Sequence, residues 1–139
     1  FIIAEVELAT GGKRKIELSS SPNFPLCKLD RAAIGRLVSN LLENALKFSP
    51  PDSTVEVHAN SNAKELTLSV KDYGIGIPTT DLEFIFLKCG RRKHQEYTPG
   101  CGLGLYICKG VATAHNGTIS VLSEVGKGTT FTVTLPPQE

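Results

Sequence analysis

The stretch from Asp30 to about Phe48 constrains the fold more than any other part of this chain. On a wheel at about 100° per residue, Ile34, Leu37, Val38, Leu41, Leu42, Ala45 and Phe48 form one broad apolar stripe. A helix with such a stripe has to lie on another layer. Asp30 is its expected N-cap, and Pro50-Pro51-Asp52 ends it. Much of the remaining chain alternates in the manner of strands. Ile2 to Leu8 and Lys15 to Ser19 flank the Gly11-Gly12 turn, and Val55 to Ala59 and Glu65 to Lys71 flank Asn60-Ser61-Asn62. Thr118 to Ser123 and Thr129 to Leu135 flank Gly126-Lys127-Gly128. Leu103 to Ala114 has apolar residues at helical spacing, closed by Asn116-Gly117. Thr80-Asp81-Leu82-Glu83 has the pattern of a capping box, predicting a short helix to about Phe86.

Hairpins mixed with helices argue for an α+β fold and against an all-parallel doubly wound sheet. The expected architecture is a two-layer α/β sandwich. Its mixed, mostly antiparallel sheet has about five strands plus an N-terminal hairpin, and about three helices cover one face. The 139 residues read as one domain, and 40% apolar content is enough for a core. A net charge of +1 gives no general attraction to nucleic acid or anionic membrane. No apolar run reaches the roughly 18 residues of a membrane span, and no signal-peptide pattern opens the chain. The sequence has no methionine, so a piece of a longer protein is expected. Cys27, Cys89, Cys101 and Cys108 have neither Cys-x-x-Cys nor zinc spacing, and structural thiols are expected. Cys101 differs in lying within a glycine loop at a predicted helix start, a setting that lowers thiol pKa.

Three polar-and-glycine clusters follow one another on these elements. In the first, Asn40, Asn44 and Lys47 fall within about 60° along one edge of the long helix's apolar stripe. An amide oxygen there suits a hard cation, and a lysine one turn on suits a phosphate. The alternative is a solvated flank. Two mid-helix asparagines are nevertheless an unforced cost in helix propensity. In the second, Asp72 ends a strand before Gly74-Ile75-Gly76-Ile77-Pro78. Its carboxylate can accept from an exocyclic amine, or simply cap its own turn. In the third, Gly100, Gly102 and Gly104 open a helix and expose N–H groups suited to phosphate. The spacing is neither a Rossmann fingerprint nor a P-loop. Between the last two clusters, Lys88, Arg91, Arg92, Lys93 and His94 lie in a predicted loop that reads as a basic lid or a solvated charged segment.

Taken in order, these residues resemble the catalytic ATP-binding domain of sensor histidine kinases, which shares its fold with the gyrase, Hsp90 and MutL ATPases. Asn40 to Ser49 resembles the N box, Asp72 to Pro78 the G1 box and Gly100 to Leu105 the G2 box. Ile85-Phe86 resembles the start of the F box, and Gly126 to Phe131 the closing turn and strand. The resemblance implies Mg²⁺ on Asn44 supported by Asn40, phosphate on Lys47, and the adenine amine on Asp72 beside Gly74, Gly76 and Ile77. It implies phosphate contacts from Gly100, Gly102, Leu103, Gly104 and Leu105, lid charges at Arg91 and Arg92, and a nucleotide contact at Thr130. Glu43, Asn44 and Lys47 are the implied catalytic group.

The chain departs from the family pattern in having Phe48 for a tyrosine, Cys89 for the second F-box phenylalanine, and Cys101 for a small hydroxyl residue. Water-using relatives carry a glutamate base where this chain has Asn40, which favours transfer to a histidine. The implied function is transfer of the ATP γ-phosphate to a histidine on a separate dimerisation/phosphoacceptor domain, with a response regulator receiver domain downstream. The domain is expected in the cytoplasm, with no membrane insertion of its own and no nucleic-acid partner, whether or not its parent is membrane-anchored. A nucleotide-sensing or partner-docking module without transfer and a water-using ATPase are the alternatives.

Overall fold

The computed structural model describes residues 15–20, 30–61, 64–87 and 103–136. Strands β1 (Lys15–Ser20), β2 (Thr54–Ser61), β3 (Leu66–Asp72), β4 (Thr118–Glu124) and β5 (Gly128–Leu135) form one sheet in the order β1-β2-β3-β5-β4. Helices α1 (Arg31–Phe48) and α2 (Leu103–Ala114) pack on one side of it. The hairpins β2–β3 and β4–β5 are antiparallel, as is β3–β5. Among the described residues only β1 pairs in parallel, on β2, which makes the sheet mixed.

Period-two alternation sorts the sheet into two faces. Ile16, Val55, Val57, Val70, Phe131, Val133 and Leu135 are buried toward the helices, where they meet Leu37, Leu41, Leu42 and Ala45 of α1 and Cys108 and Ala112 of α2. The predicted stripe on α1 is therefore the buried one. The Asp30 carboxylate caps α1 by accepting from Ala33 N–H at 3.1 Å. At the same end of the helical layer, Asn116 takes φ 62°. Gly117 N–H bonds Ala112 O at 2.8 Å and Asn116 N–H bonds Thr113 O at 2.9 Å, closing α2 in a Schellman turn.

Three contacts set the helix pair. Gly104 lies against Asn40, the Cys108 thiol donates to Leu37 O at 3.5 Å, and Asp30 N–H donates to His115 Nε2 at 3.4 Å. Residue numbers rise on one helix as they fall on the other, so the helices run antiparallel. The start of α2 is thereby placed beside the middle of α1.

Two expectations are corrected. Two helices, not three, cover the sheet among the described residues. Thr79–Asp81 is a single 3₁₀ turn followed by further turns, with N–H groups bonding three residues back: Asp81 to Pro78, Leu82 to Thr79, Phe84 to Asp81 and Leu87 to Phe84. No side chain caps it, and so short a segment does not meet the nucleation cost of an α-helix. Ile85 still reaches the core, and Phe86 packs edge-on to Phe131 with ring centroids 6.0 Å apart. The second correction concerns β1. It is a strand of the main sheet, not merely the return of a separate hairpin. Its predicted partner, Ile2 to Leu8, lies outside the described residues.

Candidate functional site

Asp72 is the last residue of β3 and sits on the buried face, 3% exposed. In register it pairs with Thr129 of β5, which pairs with Ser123 of β4, so three polar side chains close one end of the face that carries the core. Gly74 N–H donates to Asp72 Oδ1 at 2.8 Å. Burial raises the Asp72 pKa, and hydrogen bonds from the backbone N–H groups of Gly74 and Thr129 partly oppose that. The result is a desolvated carboxylate held by backbone donors, with acceptor capacity left over.

The loop after Asp72 is tied on three sides. Ile75 N–H donates to Phe48 O at 3.2 Å, Gly126 N–H donates to Ile75 O at 2.9 Å, and Ile77 N–H donates to Ser123 Oγ at 2.7 Å. The glycines permit this closeness. A Cβ on Gly74 would lie 2.0 Å from Phe48 O and 2.9 Å from Asp72 Oδ1, and one on Gly76, at φ 76°, would lie 2.2 Å from Glu124 O. The end of α1 is thus fastened beside Asp72. Ile77 is buried in the same wall.

Two turns back along α1, about 12 Å at 1.5 Å per residue, Asn40 faces the start of α2. A Cβ on Gly104 would lie 3.6 Å from Asn40 Cγ and 3.7 Å from Oδ1. Asn40 Nδ2 is buried and, among the described residues, has no hydrogen-bond partner. An orphaned buried donor carries a cost unless something accepts from it. Here it lies next to a helix start, the end of a helix whose dipole favours an anion.

The first two sequence clusters therefore meet at Gly74, and the first and third meet at Gly104. Asn44 is half-buried on α1, one turn after Asn40, and Lys47 is exposed with Nζ 5.4 Å from the Phe48 ring centroid. Leu103 is exposed at the first position of α2, while Leu105 packs against the core. Glu43 is exposed. Thr130 does not join the others: it pairs with Lys71 and Leu122 on the opposite face of the sheet. Thr129 and Ser123 occupy the site's face instead. The alternation through Phe131, Val133 and Leu135 was the signal pointing to Thr129. Arg91, Arg92, Gly100 and Gly102 lie outside the described residues, as do Lys88, Lys93, His94, Cys27, Cys89 and Cys101. Cys108 is a buried thiol whose pKa desolvation pushes up to about 12, so its role is packing. Among the described residues, no cluster of three or more His, Cys, Asp or Glu could hold a metal, and no helix is long and apolar enough to cross a membrane.

The architecture is thus an α+β domain in which the polar edge of a helical layer meets glycine turns at the end of a mixed sheet. Residues 29–139 match the family model described as histidine kinase-, DNA gyrase B- and HSP90-like ATPase, and the chain belongs to that family. It is 35% identical over 115 residues to the adaptive-response sensory kinase SasA of Synechococcus elongatus, covering 82% of this chain and 30% of SasA. The fold matches a mycobacterial sensor histidine kinase, MprB, with a TM-score of 0.83 at 29% identity, covering 99% of this chain and 91% of that one. Full-length ShkA, solved in complex with AMPPNP, matches with a TM-score of 0.76 at 25% identity, covering 99% of this chain and 29% of ShkA. The chain thus spans under a third of the length of SasA.

Proposed function

We propose that this domain binds Mg·ATP and presents the γ-phosphate to a histidine on a separate dimerisation/phosphoacceptor domain, supplying phosphate for a response regulator in two-component signalling. The observation that carries the reading is the pair of poles along α1. At one end an acceptor wall of Asp72 and Thr129 suits the exocyclic amine of adenine. At the other, the buried Asn40 amide and the α2 N-terminus suit phosphate oxygens. Phosphate fits the second pole because it accepts from the orphaned Nδ2 and from helix N–H groups alike.

Mg²⁺ also fits. It keeps several waters and binds through few protein oxygens together with substrate phosphates, so the Asn44 amide oxygen suffices without a carboxylate cage. Bound there, it would neutralise phosphate charge and so ease transfer. Asn40 and the start of α2 would orient the phosphate chain, and the exposed Lys47 would screen it. Asp72 fixes the base, and with it the register of the phosphates along α1. Asn40 offers no general base, and an imidazole nucleophile needs little help from one. Arg91 and Arg92 are proposed as lid charges on the γ-phosphate, and Glu43 as an acid–base aid.

Calorimetric titration with AMPPNP, with and without Mg²⁺, tests the assignment. Asp72→Ala should weaken binding about tenfold or more, the scale of a hydrogen bond to a charged group. Asn44→Ala should make the remaining affinity independent of Mg²⁺. Full affinity in Asp72→Ala would overturn the base assignment. Unaltered Mg²⁺ dependence in Asn44→Ala would overturn the metal assignment.

A further inference from the structure

Ser123 has three partners: Ile77 N–H at 2.7 Å, Gly128 O at 3.0 Å and Thr129 Oγ1 at 2.8 Å. A hydroxyl has one proton and two lone pairs. Ile77 N–H can only donate and Gly128 O can only accept. Ser123 therefore gives its proton to Gly128 O and one lone pair to Ile77. Its second lone pair is satisfied only if the Thr129 hydroxyl donates. That leaves Thr129 Oγ1 with lone pairs alone, one register step from the Asp72 carboxylate.

We propose that Ser123 is a positioning residue: it fixes Thr129 as a hydrogen-bond acceptor, so that the Asp72–Thr129 wall selects a purine carrying an exocyclic amine and rejects one carrying an oxygen there. The inference rests on the reading of this wall as the base site. A 6-amino purine offers donors to a wall of acceptors. A 6-oxo purine sets an oxygen against them and leaves both sides unpaired, which is where discrimination is strongest. Ser123 also joins the base wall to its frame, because the same atom holds the glycine loop through Ile77 and the β4–β5 turn through Gly128.

The test compares ATP with inosine triphosphate by calorimetry on the whole chain, with urea unfolding of each variant alongside. In Ser123→Ala the Thr129 hydroxyl is released and can turn its proton toward the 6-oxo group, so the preference for ATP should fall about fivefold, one neutral hydrogen bond's worth. Ser123→Thr, which restores the hydroxyl, should recover it. A purely structural role would weaken both nucleotides by the same factor and leave the ratio unchanged, and that result would overturn the proposal. If Ser123→Ala fails to fold, Ser123→Cys, with a weakly bonding thiol of similar shape, carries the same comparison. Asp72→Asn separates the two readings. If it shifts the ATP preference while the Ser123 variants do not, only the Ser123 role falls. If it leaves the preference unchanged, the base does not meet this wall and both fall.

Discussion

Asp72 is held between opposed demands. Burial favours its neutral form, while the N–H groups of Gly74 and Thr129 favour the carboxylate. Burial prevails, so its pKa lies above the ordinary 3.8. The folded state then holds this proton more tightly than the unfolded state does. Between pH 3.8 and the raised folded pKa, the folded chain carries more of it, and Asp72's contribution to stability declines as pH rises. Outside that window the contribution is flat. Urea unfolding of wild type and Asp72→Asn at several pH values should therefore show the wild type losing ground to the variant as pH climbs from 3.8. A difference that grows in the opposite direction would mean that the N–H donors outweigh burial. Adenine affinity should run the other way and rise over the same window, because the amine donates best to the ionised carboxylate. A residue found to lower stability where it binds best would be serving ligand rather than fold. Asp72 was legible in the sequence as the polar end of an alternating strand. Thr129 was less so: Thr129 and Thr130 are chemically identical, and only the alternation running back from Leu135, Val133 and Phe131 tells which faces the helices.

At the scale of elements, the glycines divide by what surrounds them. Gly74 has no room, since a Cβ would meet Phe48 O at 2.0 Å and a backbone atom cannot step aside cheaply. Gly74→Ala should cost about 3 kcal/mol by chemical denaturation, as the loop separates from α1 and the Ile75–Phe48 bond is lost. Gly104 is different. Its Cβ would find Asn40 atoms no closer than 3.6 Å, an ordinary contact, and alanine is the better helix former by about 1 kcal/mol. Gly104→Ala should therefore match or exceed wild-type stability while AMPPNP affinity drops about tenfold, because the methyl fills the strip beside Asn40 where a phosphate would approach. A stable Gly104→Ala chain with undiminished affinity would remove the phosphate pole from that place. The elements with local signatures were readable in advance: α1 from its stripe and Asp30 cap, α2 from its spacing and Asn116-Gly117 stop, and the β2–β3 and β4–β5 hairpins from alternation around asparagine and glycine. The segment after Pro78 was not. A capping-box pattern states a preference for starting a helix, and here the chain makes successive turns instead, while Ile85 and Phe86 are drawn into the core. Nor was the parallel pairing of β1 with β2 readable, since a strand's own residues do not encode which neighbour it joins.

At the scale of the molecule, the sheet separates two chemistries. Its helix side carries the core and the proposed nucleotide poles. Its other side is polar, with rows such as His58, Ser69, Thr132 and Ser120 in register. His58 lies on that outer side, 3.7 Å from Glu56, which also accepts from the Tyr73 hydroxyl. The sheet itself stands between His58 and Asn40 or Asn44. His115 is on the helix side, but its ring is engaged at both nitrogens: Nδ1–H donates to Val111 O at 2.9 Å, and Nε2 accepts from Asp30 N–H. It ends α2, whereas the phosphate pole is at that helix's start. Neither described histidine is placed to receive a γ-phosphate, which must leave in line to an incoming nucleophile. The chain should therefore bind ATP without phosphorylating itself. With γ-labelled ATP and Mg²⁺, no acid-labile, base-stable label should appear on it, His94 included. Addition of a phosphoacceptor helix domain from the same parent protein should produce that label on the added domain, and Asn44→Ala should abolish it. Phosphohistidine on the chain alone would overturn the division of labour. No label on the added domain, from a chain that binds AMPPNP well, would turn the reading to a nucleotide-sensing module. On the proposed reading, the same division explains how a domain with so few catalytic groups could serve a kinase: positioning the phosphates would be its contribution, and the nucleophile would arrive on another domain.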